Sequence, residues 1–137
     1  MPLSPRSQAA LSHAHPLLKT LVAACAADPR CPPFQVLEAR RGRRVQEKAF
    51  AKGNSRARFG QSPHNYAVAL ALDIAPVPLD WNRLPPFEAL GRFIMQKAAS
   101  LKIPIVWGRN FRGLADYPHF ELSNWRELAT KTPLYKP

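Results

Sequence analysis

Residues 61–76, QSPHNYAVALALDIAP, read as an apolar strand with a histidine near its start and an aspartate near its end. In an extended chain successive side chains alternate between faces. Over residues 67–74 this places Val68, Leu70, Leu72 and Ile74 on one face and Ala67, Ala69, Ala71 and Asp73 on the other. The first is a core face. The second is small until it closes on a carboxylate, which is the composition of a strand that floors a cleft. His64 and Asp73 therefore bracket a rigid rail that can bring two polar groups to one place.

Outward from this strand, PLDWNRLPPFEALGRFIMQKAASL (78–101) reads as a loop with paired prolines and then a helix, with Phe87, Leu90, Ile94, Ala98 and Leu101 on one face. IPIVWG (103–108) is a second strand, RNFRGLADY (109–117) a loop and PHFEL (118–122) a third strand. In that third strand Phe120 and Leu122 point to the core, and His119 and Glu121 to the opposite side. The tail beyond it reads as irregular and basic. Upstream, the first ordered unit is a helix over 16–27, with Pro16 in its first turn, Leu17, Leu18, Leu21 and Cys25 as its apolar stripe, and Asp28-Pro29 as its stop. FQVLEA (34–39) has strand composition. A helix follows that begins after Gly42 and ends at Gly53, on which Arg44, Lys48 and Lys52 form a basic stripe.

With 137 residues, 46% of them hydrophobic and 21% charged, the chain is long enough for one globular core without a disulfide or a structural metal. Its 15 prolines point to short elements separated by loops. Lys and Arg number 20 against 9 Asp and Glu, a net charge of +11, which favours an anionic partner: nucleic acid, acidic lipid or acidic wall polymer. No recognisable nucleic-acid signature accompanies the basic segment from Arg40 to Arg58, and the aromatics are not interleaved with it for base stacking. Cys25 and Cys31 lack the spacing of a zinc knuckle or a redox pair and read as ordinary thiols. LLKTLVAACAAD (17–28) has the look of a secretory hydrophobic region, but Lys19 interrupts it and its flanks are weak, so it reads as an amphipathic helix.

Of the four histidines, His13 and His15 read as surface or packing residues. His64 and His119 each lie at a strand end or on its non-core face, with Asp73 and Asp116 nearby. Two neutral imidazoles and one carboxylate make a three-ligand zinc set that keeps a fourth position open, a catalytic type of site. Such a site needs a general base, and Asp116 or Glu121 could serve. On spacing alone the alternative is a core histidine satisfied by hydrogen bonds, with the others at the surface.

SPHNYAVALALDIAP and WGRNFRGLADYPHFEL resemble the zinc peptidoglycan peptidases that include D-alanyl-D-alanine carboxypeptidases and the L-alanyl-D-glutamate endopeptidases used as phage endolysins. The family pattern is Ser-x-His, a small-residue run ending in Asp, then an acidic residue three before a His, often preceded by Trp-Gly. Its counterparts here are Ser62, His64, Asp73, Asp116, His119 and Trp107-Gly108. EARRGRRVQ (38–46) is similar to the family's Arg-Ser-x-x-x-Gln segment, with Arg41 and Gln46 matching and Gly42 in place of Ser, and HPLL (15–18) looks like its opening helix. The resemblance implies that His64, Asp73 and His119 bind Zn²⁺, that Asp116 is the acid–base residue, and that Arg41, Gln46 and Ser62 belong to the substrate side, with the Arg41 guanidinium suited to grip a carboxylate. Glu121 is the second choice for the base and otherwise a hydrogen-bond partner of a ligand. His64 and Asp73 stand nine positions apart, two more than in the commoner pattern, and Ala replaces its Gly. An even insertion preserves strand parity, so Asp73 still faces the site.

The expected fold is α+β: a small, mainly antiparallel sheet flanked by helices, one peptidase domain over 1–137 with a zinc cleft and no separate wall-binding domain. The expected function is hydrolysis of the L-Ala-D-Glu bond of peptidoglycan by a monomeric endolysin, made in the host cytoplasm without a signal peptide and reaching the wall after membrane permeabilisation. Its basic face would meet anionic wall or outer-leaflet polymer, with no specific nucleic acid. A D-alanyl-D-alanine carboxypeptidase is the alternative within the class, and a non-enzymatic nucleic-acid or wall-binding module the alternative outside it.

Overall fold

The computed structural model describes residues 2–137. Its elements are α1 Pro5–Leu11, α2 Pro16–Ala27, β1 Phe34–Glu38, α3 Arg43–Ala51, β2 Ala71–Pro76, α4 Leu84–Leu101, β3 Ile105–Trp107, β4 His119–Leu122 and α5 Trp125–Ala129, with 3-10 turns at Pro63–Asn65 and Gly108–Asn110. The strands form one antiparallel sheet in the order β1-β2-β4-β3, flanked by helices, so the expected α+β architecture is the observed one.

The sheet is two-faced because its sequence alternates. Leu72 and Ile74 of β2 and Phe120 and Leu122 of β4 are all buried. Each such side chain contributes about 1.5–3 kcal/mol of burial free energy. Leu18, Leu21, Val22 and Cys25 of α2 and Phe87, Leu90, Ile94 and Ala98 of α4 complete the core. α2 starts where Pro16 fits the first turn and the His15 Nδ1 accepts from the Leu17 N–H at 3.1 Å. On α4, Gly91 is required by packing: a Cβ there would come within 2.0 Å of the Trp107 ring. That close approach lets Trp107 stack on Phe120 at 5.9 Å and donate its indole N–H to the Tyr117 carbonyl at 2.8 Å, fixing the loop that leads into β4.

Several local expectations change. Residues 67–70 are no strand but a run of bends outside the ladder: Ala67 N–H goes to the Pro133 carbonyl, Ala69 N–H to that of His13 and Leu70 N–H to that of Pro63. Partners in three separate segments break the alternation, and Val68 is exposed instead of facing the core. Leu17 and Leu101 are also exposed, with Val22 and Gly91 taking their places on the buried faces of α2 and α4. Two short helices were not anticipated. α1 is capped by Ser4, whose Oγ accepts from the Ser7 N–H at 3.1 Å, and the buried Ser7 Oγ accepts from the Val36 N–H of edge strand β1 at 3.0 Å. α5 gives the tail an ordered turn with Trp125 buried. Both cysteines are free thiols, and burial pushes that of Cys25 up to about 12.

Asp28, at the end of α2, accepts from Arg30 at 2.9 Å and from Lys97 of α4 at 2.8 Å. Arg30 first, then Lys97, hold its carboxyl well below the usual carboxylate range. In the unfolded chain it titrates near pH ~4, so the stabilisation is complete above that pH and is lost as pH falls toward the folded value. Asp28→Asn should therefore flatten the acid-side decline of Tm between about pH 5 and about pH 2, where linked carboxylates titrate. A decline as steep as that of the unsubstituted protein would exclude this ion pair as a source of the acid sensitivity.

Candidate metal centre

The β2–β4 ladder puts Asp73 directly opposite His119, and Ala71 opposite Glu121. Because Leu72 and Phe120 pair between them and point to the core, Asp73, His119 and Glu121 emerge together on the other face. His64 arrives by another route, on the 3-10 turn after Ser62. The Ser62 Oγ accepts from the His64 N–H at 3.2 Å, and the Asn65 Oδ1 accepts from the N–H groups of Gly60 and Ser62 at 2.9 and 3.2 Å. The Arg41 N–H donates to the His64 carbonyl at 2.6 Å, tying the turn to the chain leaving β1.

Hydrogen bonds set which ring nitrogen of each histidine is free. A carbonyl can only accept, so the contact of 2.6 Å between His64 Nδ1 and the Ala39 carbonyl places the proton on Nδ1 and leaves Nε2 with its lone pair. Glu121 Oε1, 2.7 Å from His119 Nε2, likewise places the proton there and leaves Nδ1 free. These two lone pairs and Asp73 Oδ1 converge: His64 Nε2 is 3.2 Å from His119 Nδ1 and 3.2 Å from Asp73 Oδ1, and His119 Nδ1 is 3.4 Å from Asp73 Oδ1. Three acceptors face one another, and Asp73 Oδ1 has no hydrogen-bond partner although it is buried. Such a triangle is stable only around positive charge.

The dimensions fit a metal ion. A tetrahedral zinc with ligands at about 2.0–2.1 Å separates them by about 3.3–3.4 Å, close to the edges found here. The donor set, two imidazoles and one carboxylate oxygen, is also a zinc set. The same field attracts protons. Burial opposes the charged form of His119, but the carboxylates of Asp73 and Glu121 beside it override this, and its imidazole is pushed up to about 9. Burial raises the Asp73 carboxyl, and His64 and His119 together reverse this and hold it well below its ordinary range.

Asp73 is oriented from behind. Its Oδ2 lies 3.6 Å from Arg41 Nη2, leaving Oδ1 for the triangle. Arg41 is itself held: Nε donates to Glu38 Oε1 at 2.8 Å, Nη2 contacts the same oxygen, and Nη1 donates to Gln46 Oε1 at 3.1 Å. Its side chain is only 14% exposed. The fork expected to grip a substrate carboxylate is thus already engaged by Glu38 and Gln46. Gln46 is fully buried, donating to Ser55 Oγ and the Ala57 carbonyl, and does not line the cleft. Ser62 does line it, but its Oγ is used in capping the His64 turn. Glu38 and Asn65 belong to this framework and were not singled out in the sequence; the signal for Glu38 was its place three residues before Arg41.

Asp116 sits in the loop before β4 and lines the same cleft, which encloses about 680 Å³. Its backbone N–H donates to the Gly108 carbonyl at 2.9 Å and its carbonyl accepts from the His119 N–H at 3.2 Å. Gly108 allows this turn, since a Cβ there would lie 2.4 Å from the Asp116 carbonyl oxygen and 3.0 Å from the His119 Cβ. Burial, then the charge on Asp73, push the Asp116 carboxyl above its ordinary value. The four residues expected at the centre, His64, Asp73, Asp116 and His119, thus share one cleft, with Glu121 as the partner of His119.

Residues 55–122 match the model of the family described as D-alanyl-D-alanine carboxypeptidase. That span contains His64, Asp73, Asp116 and His119. The L-Ala D-Glu endopeptidase ChiX of Serratia marcescens has a similar fold: TM-score 0.78 over 94% of each chain, at 23% sequence identity. No curated protein matches by sequence. With the motif residues gathered around a metal-type triangle, residues 55–122 carry a match to the D-alanyl-D-alanine carboxypeptidase family of peptidases, on the fold shared with the Serratia endopeptidase.

Proposed function

We propose that this chain is a zinc-dependent endopeptidase that hydrolyses the L-Ala-D-Glu bond of the peptidoglycan stem peptide, acting as an endolysin released onto the wall of the host that made it. The observation that carries the reading is the triangle of His64 Nε2, Asp73 Oδ1 and His119 Nδ1, lining a cleft that Asp116 shares. The endopeptidase activity named for the Serratia neighbour favours an internal bond. The description of the matching family favours removal of a terminal D-alanine and is the second reading.

Zinc held by these residues supplies Lewis-acid polarisation of the amide carbonyl and acidification of water. The protein supplies the remainder. Asp116 accepts a proton from the attacking water and delivers it to the leaving amine, a role suited by a carboxyl whose burial raises its affinity for protons. Glu121 and the Ala39 carbonyl fix the tautomers and orientations of the two imidazoles, and Arg41 directs Asp73 so that one oxygen faces the metal. Away from the cleft, the exposed Arg44, Lys48 and Lys52 of α3 form a basic face suited to anionic wall polymer.

Three measurements test this. Purified peptidoglycan digested with zinc-loaded protein should yield new D-Glu amino termini by mass spectrometry, and Asp116→Asn should retain stoichiometric zinc while turnover falls by about 10²–10⁴-fold. Release of D-Ala would move the protein to the carboxypeptidases, and near-normal turnover of the variant would remove Asp116 from the mechanism. Glu121→Gln should weaken zinc binding by about 10–100-fold in a chelator competition, as loss of a ligand's hydrogen-bond partner does. Unchanged affinity would show that Glu121 does not tune His119. Binding to sacculi should weaken steeply between about 0.05 M and about 0.3 M salt as the Debye length shortens; binding indifferent to salt would exclude the basic face as the attachment surface.

A further inference from the structure

The cleft segregates charge. Its acids, Asp73, Asp116 and Glu121, lie around the metal triangle, whereas Arg56, Arg112 and Arg126 line it as exposed side chains. Among the described residues none of these three arginines has an ion-pair partner. They come from three parts of the chain: the loop after α3, the loop before β4, and α5. Convergence of unpaired guanidinium groups at one opening stores unfavourable repulsion that an anionic ligand would relieve.

Two of the three have a defined neighbour. The Arg56 guanidinium occupies space that a side chain at residue 113 would need: a Cβ on Gly113, whose φ is +85°, would meet Arg56 Nη1 at 2.6 Å. Arg56 therefore reaches across to the facing loop. Arg126 lies over the Trp125 ring at 4.5 Å, a contact through its face that leaves its in-plane N–H donors free. Beneath it, Trp125 Nε1 is a buried donor with no acceptor, in a residue that is itself part of the cleft wall. A missing acceptor and unpaired donors at the same place indicate a hydrogen-bond-accepting anion. Arg41 does not fill this need, since Glu38 and Gln46 already engage its fork.

We propose that Arg56, Arg112 and Arg126 form a carboxylate-binding rim that makes the cleft selective for stem peptides whose D-Glu residue carries a free α-carboxylate instead of an α-amide. This rests on the peptidase reading above and names the substrate class of that site. The fork of each guanidinium recognises a carboxylate oxygen pair, whereas a neutral carboxamide offers one acceptor and brings its own N–H donors against the arginines.

Two γ-linked peptides identical except for D-Glu or its α-amide provide the probe. The zinc-loaded protein should cleave the acid form with a kcat/KM about 10–100-fold higher than the amide, the range expected for hydrogen bonds to a charged group. In Arg112→Gln and Arg126→Gln the ratio should fall toward one through a rise in KM for the acid form, and Arg126→Lys should recover part of it by keeping the charge without the fork. Calorimetric binding of the same two peptides to Asp116→Asn reads the preference without cleavage. Preference in binding with no cleavage of either peptide by the unsubstituted protein would overturn the peptidase reading and leave the rim standing. Cleavage of both peptides at equal rates, or a preference that survives both Gln variants, would overturn the rim and leave the peptidase.

Discussion

The pairing of Asp73 with His119 across β2 and β4 is the constraint on which the site depends. A two-residue side-chain period means that the ladder which aims these groups into the cleft also aims Leu72, Ile74, Phe120 and Leu122 into the core. A slip of one residue would turn a carboxylate and an imidazole from the polar cleft into the apolar core and drive large apolar side chains out of it, at a cost several times larger than any one contact. The geometry of the candidate site and the core packing are therefore set by one register. Hydrophobic burial fixes the positions of two candidate ligands without any metal having to organise them.

His64, the third candidate ligand, has no such ladder, and a buried polar network takes its place. Asn65 joins the backbone of Gly60 and Ser62 to the Arg41 carbonyl and to Gln46, while Gln46 joins Arg41 to Ser55 and Ala57. Every member of that network has partners, which is the condition under which buried polar groups rigidify a structure. Arg41, just after β1, and Gln46, within α3, are both part of this framework. Gln46 organises the loop behind the site, and Arg41, balanced by Glu38, sets which oxygen of Asp73 turns toward the imidazoles.

What could be read in the sequence follows the range of each signal. The helices over 16–27 and 84–101 carry long apolar periods with proline at their starts, and the third strand has clean alternation; all appear close to where the pattern puts them. α1 and α5 are too short for a period to declare itself. Val68 misled because alternation describes a chain paired to neighbours on both sides, and residues 67–70 instead pass their N–H groups to three separated segments. At the site, spacing alone left a hydrogen-bonded core histidine as an alternative, and it was the resemblance of two motifs to a known family that singled out His64, Asp73, Asp116 and His119. Partners were not legible. Nothing in a lone Arg shows whether its fork is free, and Arg41 is committed while Arg112 and Arg126, which no motif marked, are not.

Among the described residues, the two buried side-chain polar atoms left without partners, Asp73 Oδ1 and Trp125 Nε1, both belong to residues of the cleft, and they are opposite in kind. One is an acceptor that lacks a cation and the other a donor that lacks an acceptor. A fold that satisfies nearly all of its interior polar groups leaves such atoms where an outside partner completes them. The charged residues of the cleft divide likewise: Asp73, Asp116, Glu121 and the half-buried Arg41 lie with the triangle, whereas Arg56, Arg112 and Arg126 are exposed. The glycines at 108 and 113 make this division possible: the first lets the Asp116–His119 turn close down onto the floor, and the second clears the space in which Arg56 reaches over the opening.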